Sequence, residues 1–133
     1  MIDIESILFS DLADDLRAQY PGISVSGEAT KAPADFPAVT IVEADNSVYQ
    51  RMRTTHIENA VRLMYEVNIF TNTIGYRKSE AKDILETIDG EFSRLGFTRT
   101  ACNPISNLQD ASIYRILARY EAIVDRNYMV YQN

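Results

Sequence analysis

The chain has very few of the residues that build metal, redox or nucleophilic sites. Cys102 is the only cysteine and His56 the only histidine among 133 residues. A single cysteine excludes an intrachain disulfide and an all-cysteine metal site, and a single histidine excludes a metal face built from two histidines. We therefore expect no bound metal and no cofactor.

Long apolar runs and a positive charge balance are also lacking. No apolar run approaches the ~20 residues that a bilayer-spanning helix needs, and the acidic start, residues 1–5, lacks the basic residues of a secretion signal. The formal net charge of −6 argues against broad contact with a phosphate backbone. We expect a protein that is made in the cytoplasm, does not enter a membrane and does not bind nucleic acid specifically.

The composition is that of a globular protein. The chain is 46% hydrophobic and 24% charged, which is typical of a folded domain and unlike a disordered segment. Its length fits one domain, residues 1–133, and we find no internal repeat, low-complexity tract or linker.

Apolar residues recur at helical spacing in two segments. In the first segment Asp3 is the expected N-cap, and Pro21 followed by Gly22 ends the helix. The second helix is predicted at 79–95, with Ser79 as its cap and Gly96 in a left-handed C-cap. The apolar stripe of the first helix consists of Ile4, Ile7, Leu8, Leu12, Leu16 and Tyr20.

Segments of alternating or β-branched character lie between and after these helices. They predict strands at 23–26, 36–43, 59–71, 97–102 and 112–125, and a short one at 128–131. Helices with one apolar side suit one face of a mostly antiparallel sheet. The sequence thus predicts an α+β fold, a two-layer sandwich with both helices packed on one face.

The sheet face opposite the helices has an unusual predicted composition. Charged residues alternate with Met64, Phe70, Leu117 and Ile123, which would be exposed together. One interpretation is a solvated outer face, which is common in antiparallel sheets. The other is an interface between subunits, in which charges of alternating sign pair across the contact and set its register. The candidate interface residues are Arg62, Glu66, Arg115, Leu117, Arg119 and Glu121.

Residues 44–58 show no consistent period and are predicted to form a long loop. A loop of this length in a compact domain is usually functional or disordered. Contact with nucleic acid through arginines and a stacking tyrosine is a weaker alternative than an ordinary exposed loop, because the chain is acidic. We therefore assign the segment as a partner-contact loop with the candidate residues Tyr49, Arg51, Met52, Arg53 and His56.

Signals for catalysis are weak. Asp11, Asp14 and Asp15 could share a hard cation, but acidic residues are routine on a solvated helix face. His56 could act as an acid or base, but Cys102 has no activating partner in the sequence and is expected to be a small buried thiol. Phosphate-loop, nucleophile-elbow and metal-helix motifs do not occur. We therefore expect no enzymatic activity.

Four runs of residues resemble a known family. They are LMYEVNIF at 63–70, SEAKDIL at 79–85, LGF at 95–97 and IYRILARYEA at 113–122. In these runs the chain resembles small tail proteins of tailed bacteriophages and prophages, most closely the tail terminator or tail-completion family, also called head–tail joining proteins. The resemblance covers about residues 36–125.

The resemblance implies an α+β structural protein without enzymatic activity or cofactor. Members of that family form a hexameric ring that caps the tail tube, stops its polymerisation and joins it to the head connector or stopper protein. DNA can pass through such a ring. The implied location is the tail or neck of the virion, after assembly in the bacterial cytoplasm. A neck, head-completion or minor capsid protein is the first alternative, and a small enzyme or ligand-binding domain is the second.

Overall fold

The computed structural model describes residues 1–30, 33–49, 60–106 and 110–130. In these ranges the chain forms two helices and five strands. Their order is α1 (Glu5–Gln19), β1 (Ser24–Ser26), β2 (Ala38–Val48), β3 (Ala60–Thr71), α2 (Arg77–Arg94), β4 (Thr98–Ile105) and β5 (Tyr114–Asp125).

The five strands form one sheet in the order β1-β2-β3-β5-β4. β1 pairs with β2 in parallel, and the other three pairings are antiparallel. The buried residues of α1 and α2 join those of one sheet face in a single apolar cluster. The predicted α+β sandwich, with a mostly antiparallel sheet and two helices packed on one face, is thereby confirmed.

α1 follows the predicted stripe with one exception. Its buried residues are Leu8, Leu12, Ala13 and Leu16, whereas Ile7 is 58% exposed. The expectation that Ile7 is buried was wrong, because it lies about 100° round the helix from Leu8, on the side away from the sheet. The N-cap is Ile4, without a side-chain cap, so the predicted Asp3 cap was wrong by one residue. The Asp3 carboxylate nevertheless accepts the backbone N–H of Glu5 at 3.0 Å.

α2 begins two residues before Ser79, with Tyr76 at the N-cap and no side-chain cap, so the predicted Ser79 cap was wrong. Its C-terminus agrees with the prediction. Gly96 has φ +90°, and the N–H groups of Gly96 and Phe97 donate to the carbonyls of Ser93 and Phe92. This pair of hydrogen bonds is a Schellman motif, in which glycine takes the left-handed position without steric strain.

Aromatic rings hold the helix layer to the sheet. The rings of Phe92 on α2 and Tyr120 on β5 are stacked, 4.1 Å between centroids. Phe97 meets the edges of Phe92 and Tyr65 at 5.3 and 5.8 Å. All four residues are at most 5% exposed, so this cluster is the centre of the core.

Two strands are longer than predicted. β2 continues to Val48 and pairs with β3 as far as Val61, so the predicted loop at 44–58 begins as strand. A bulge between Glu43 and Asp45 shifts the register there, which hides the alternation in the sequence. β4 extends to Ile105 and includes Pro104, which a strand at the sheet edge tolerates.

The remaining strand boundaries differ by small amounts. β5 begins at Tyr114, not at residue 112, because the Asp110 carboxylate accepts the backbone N–H and hydroxyl of Ser112 and holds a turn. The predicted strand at 128–131 is represented by one bridge, between Val124 and Val130. Within the described ranges, neither helix is both long and apolar enough to cross a membrane.

Candidate functional site

The sheet face that points away from both helices is called here the outer face. Odd-numbered residues of β3 and even-numbered residues of β5 belong to the core, and side chains alternate between the faces of a strand. The outer face of these two central strands therefore consists of Arg62, Met64, Glu66, Asn68, Phe70, Arg115, Leu117, Arg119, Glu121 and Ile123. All six candidate interface residues lie on it, and their role as contacts between subunits stays a prediction.

One end of the outer face is closed. Ala38, Thr40, Asn68 and Phe70 are paired neighbours on β2 and β3 and are at most 5% exposed. The expectation that Phe70 is exposed was therefore wrong. The hydroxyl of Thr40 is buried without a hydrogen-bond partner among the residues that the structure describes.

Arg115 covers Phe70 and is held in place there. The two residues are opposite each other on β5 and β3, and the Arg115 guanidinium carbon lies 5.3 Å from the centroid of the Phe70 ring. Its Nε donates to Asn68 Oδ1 at 2.9 Å. Arg115 thus uses its charge and its apolar stem within its own chain and contributes to the burial of Phe70.

The other end of the outer face is open and carries an ion pair. Arg119 and Glu66 are direct cross-strand neighbours, and Arg119 Nε lies 3.2 Å from Glu66 Oε2. Their side chains are 45% and 30% exposed. The alternating charges were expected to pair between subunits, but this pair already forms within the chain. It contributes little to stability, because exposed ion pairs are worth roughly 0–1 kcal/mol.

Arg62 and Glu121 are two further charges of the open end. The guanidinium carbon of Arg62 lies 5.9 Å from the centroid of the ring of Tyr49, the residue that follows β2. Glu121 is half-buried opposite Met64. None of the ion pairs formed by described residues includes either charge.

Three aliphatic side chains separate these charges. Met64, Leu117 and Ile123 are half-buried on the outer face, and Ile123 lies opposite Arg62 while Met64 lies opposite Glu121. The open end thus offers apolar area in which one cation and one anion already neutralise each other. Such a surface can be covered at a lower desolvation cost than one with unpaired charges.

The partner-contact loop is described only at its first residue. Tyr49 is half-buried, and its backbone N–H donates to the carbonyl of Ala60 at 2.9 Å, which closes the β2–β3 hairpin. The other four candidates, Arg51, Met52, Arg53 and His56, lie outside the described residues.

Of the residues considered for chemistry, Asp11, Asp14, Asp15 and Cys102 are described, and His56 lies outside the described residues. The neighbouring Glu91 carboxyl group on α2 raises the pKa of Asp15, while the hydrogen bond from Arg94 lowers the pKa of Glu91. No group of three or more metal-binding side chains occurs in the described ranges. Cys102 is exposed on the edge strand β4, so the expectation of a buried thiol was wrong.

The sequence patterns did not predict two polar clusters that lie beneath the helices. The hydroxyl of Tyr65 donates to Glu43 Oε1 at 3.4 Å, and Glu5 Oε2 accepts the backbone N–H of Glu43 at 3.0 Å. Burial, with Asp3 and Glu5 nearby, raises the pKa of Glu43. Burial also raises the pKa of Tyr65, which is next to this carboxyl group. These contacts join residues far apart in sequence, so the local spacing of residues does not predict them.

The second cluster joins the edge strand to α2. Asp89 Oδ1 accepts from Tyr120 and from Arg99, both at 3.1 Å. A surface cavity of ≈ 270 Å³ lies here, lined by Asp89, Ser93, Phe97, Thr98, Arg99 and Tyr120. Because its charged groups pair with each other, the arrangement fastens β4 to the helix layer and leaves the outer face as the candidate site.

Comparison with protein-family models finds no family that matches the chain, and comparison with curated proteins finds no matching relative.

Proposed function

We propose that this protein is a structural component of a bacteriophage or prophage tail, a terminator whose subunits form a hexameric ring. The ring would cap the tail tube and offer the surface to which the head connector or stopper binds. It would act without a cofactor or a catalysed reaction, and it would be found in the tail or neck of the virion.

The composition of the open end of the outer face supports this proposal best. Half-buried Met64, Leu117 and Ile123 stand between charges, and the Arg119–Glu66 pair is neutralised before any partner arrives. Contact with a second subunit would bury the aliphatic side chains, and apolar burial contributes about 25 cal/mol per Å². The remaining charges would then select the register of the contact.

The tail setting comes from the resemblance in 63–70, 79–85, 95–97 and 113–122. Two of these runs, 63–70 and 113–122, supply the residues of the outer face. Two of the four runs that resemble the family thus also supply most of the proposed contact. This coincidence favours a ring-forming tail protein over a ligand-binding domain.

The ring is tested on the purified protein by size-exclusion chromatography with light scattering and by negative-stain electron microscopy. We expect closed rings with six times the 15.1 kDa of one chain. A particle that stays monomeric at the highest attainable concentration would contradict the proposal.

The place of the ring is tested with the major tail protein of the same genome. If the ring is a terminator, the tubes of the major tail protein should become shorter in its presence. The ring should then be seen at one end of each tube. Binding to the connector without any effect on tube length would favour the neck or head-completion alternative. A major tail protein encoded immediately downstream would favour the terminator.

A further inference from the structure

The two ends of the helix layer carry exposed apolar residues with charges of opposite sign. At one end, Ile74 is 91% and Tyr76 68% exposed, in the turn before α2. At the other end Ile7 is 58% exposed, on the first half of α1. An exposed apolar side chain beside a group of like charges offers a partner both apolar area and electrostatic complementarity.

The basic end consists of Ile74, Tyr76, Lys78 and Lys82. Both lysines are exposed on the first turns of α2, four residues apart, and so lie on one side of the helix. No ion pair formed by described residues includes them. Ile74, Gly75, Arg77 and Lys78 line a surface cavity of ≈ 300 Å³. The basic end is therefore a surface hollow lined by Ile74 and by two basic side chains, with Lys82 about one helical turn further along α2.

The acidic stripe consists of Ile7, Asp11 and Asp14. The spacing of four and three residues places all three on one side of α1, and all three are exposed. As with the lysines, the ion pairs of the described residues do not involve Asp11 or Asp14. The acidic stripe thus presents one aliphatic side chain followed by two carboxylates.

The packing of the helices places these surfaces far apart. The hydroxyl of Tyr20, after α1, contacts Asp83 and Thr87 near the middle of α2. Asp15, five residues earlier, lies close enough to Glu91, near the end of α2, for their carboxyl groups to interact. The helices are therefore antiparallel, so the start of α1 lies at the end of the layer away from Lys78. At 1.5 Å per residue, the separation is on the order of 25 Å.

We propose that the basic end of one subunit binds the acidic stripe of a second copy of this chain in a head-to-tail contact. Ile7 would enter the hollow beside Ile74, while Asp11 and Asp14 would meet Lys78 and Lys82. A second copy is the occupant because the same chain carries both complementary surfaces. At a net charge of −6, two copies repel each other overall, so their association needs a local match of this kind.

The contact is heterologous, since each subunit contributes two different surfaces. Because every subunit carries both surfaces, the contact continues from copy to copy and closes into a ring when the rotation allows. It lies on the helix layer and does not involve the outer face. It therefore does not rest on the proposed role of the outer face or on a phage tail as the setting.

Charge reversal with rescue tests the contact on the full chain. One variant combines Lys78→Glu with Lys82→Glu, and the other combines Asp11→Lys with Asp14→Lys. We expect each alone to weaken self-association about tenfold or more, because like charges would then face each other. An equimolar mixture of the two variants should assemble, since every contact in it pairs opposite charges. A chain that carries all four changes should assemble alone.

Light scattering and sedimentation velocity at about 0.05 and 0.5 M salt measure the association, which should weaken at high salt. Circular dichroism checks the fold. If a reversed variant is unfolded, Lys78→Gln with Lys82→Gln should weaken association in the same direction. The contact would be refuted if either reversed variant alone assembled like the wild type. It would also be refuted if the mixture of the two failed to assemble. Growth that stops at a dimer would overturn the head-to-tail arrangement.

The same experiment separates this contact from the outer face. Loss of assembly in Arg119→Glu with wild-type behaviour of both reversed variants would support the outer face and refute the end-to-end contact. The opposite result would refute the outer face and support the end-to-end contact.

Discussion

Arg119 and Glu66 face each other across β5 and β3, with Arg119 Nε 3.2 Å from Glu66 Oε2, on the sheet face opposite the helices. Arg99 and Asp89 form an ion pair of nearly the same geometry on the helix side, at 3.1 Å. The arginines of the two pairs are 45% and 46% exposed. The chain thus contains a matched control for the outer face.

We predict that Arg119→Glu reduces assembly, while Arg99→Glu does not. Each substitution should lower the free energy of unfolding by less than about 1 kcal/mol, because each ion pair is exposed. Only Arg119→Glu places two like charges on the proposed contact surface. Light scattering measures assembly, and urea denaturation measures stability. Equal assembly by the two variants would show that the outer face is solvated surface.

Arg115→Ala should destabilise the fold by about 1–2 kcal/mol, because it uncovers Phe70 and leaves Asn68 Oδ1 without its donor. Arg115→Lys should cost less, since the apolar stem and the charge remain. Arg62→Ala is the control, because Arg62 is exposed over Tyr49, and it should change stability by about 0.5 kcal/mol or less. Urea midpoints report the three values, and equal midpoints for the two alanine variants would contradict the covering role.

Glu43→Gln should stabilise the protein at neutral pH. Burial and the nearby Asp3 and Glu5 raise the pKa of Glu43 above its ordinary value of 4.5. Below 4.5 this group is protonated in the folded and the unfolded chain. As the pH rises toward the pKa that Glu43 has in the folded protein, its carboxyl group ionises first in the unfolded chain. The free energy of unfolding therefore falls with rising pH, and the loss is complete above the folded pKa. Glutamine removes this loss and keeps an acceptor for the Tyr65 hydroxyl.

The expected gain from Glu43→Gln is on the order of 0.5 kcal/mol near pH 7, because the group is only half-buried. It should vanish near pH 3, where glutamate is also neutral. Urea denaturation at the two pH values measures it. Glu28→Gln, at an exposed carboxylate after β1, is the control and should show no such difference. A gain of equal size at both pH values would contradict the electrostatic cause.

Two glycines should respond to alanine with opposite signs. Gly90 lies inside α2, and a Cβ there would meet nothing within 4 Å, so Gly90→Ala should stabilise by about 0.5–1 kcal/mol through helix propensity. Gly96 has φ +90°, where alanine is strained, so Gly96→Ala should destabilise by about 1–2 kcal/mol. Thermal unfolding measures both, and a destabilised Gly90→Ala variant would refute the helix-propensity account.

The elements of this fold and the sides of its strands could be predicted because they depend on local periods. Side chains alternate in β3 and β5 whatever the strands contact, so the charged row could be assigned to one face. Element ends were less predictable: the bulge in β2 and the early start of α2 depend on pairing and packing that the residues at those positions do not encode.

The local pattern of apolar and charged residues by itself determined the α+β class, the two helices and the separation of the sheet into a core face and a charged face. Only the tertiary structure decided which charges are satisfied. Arg119 and Glu66 are separated by 53 positions in the chain, and Arg115 reaches Phe70 only because β3 and β5 pair in that register. The tertiary structure also leaves Ile7 exposed. Burial and charge pairing depend on distances between elements, which the strand register and the helix packing set.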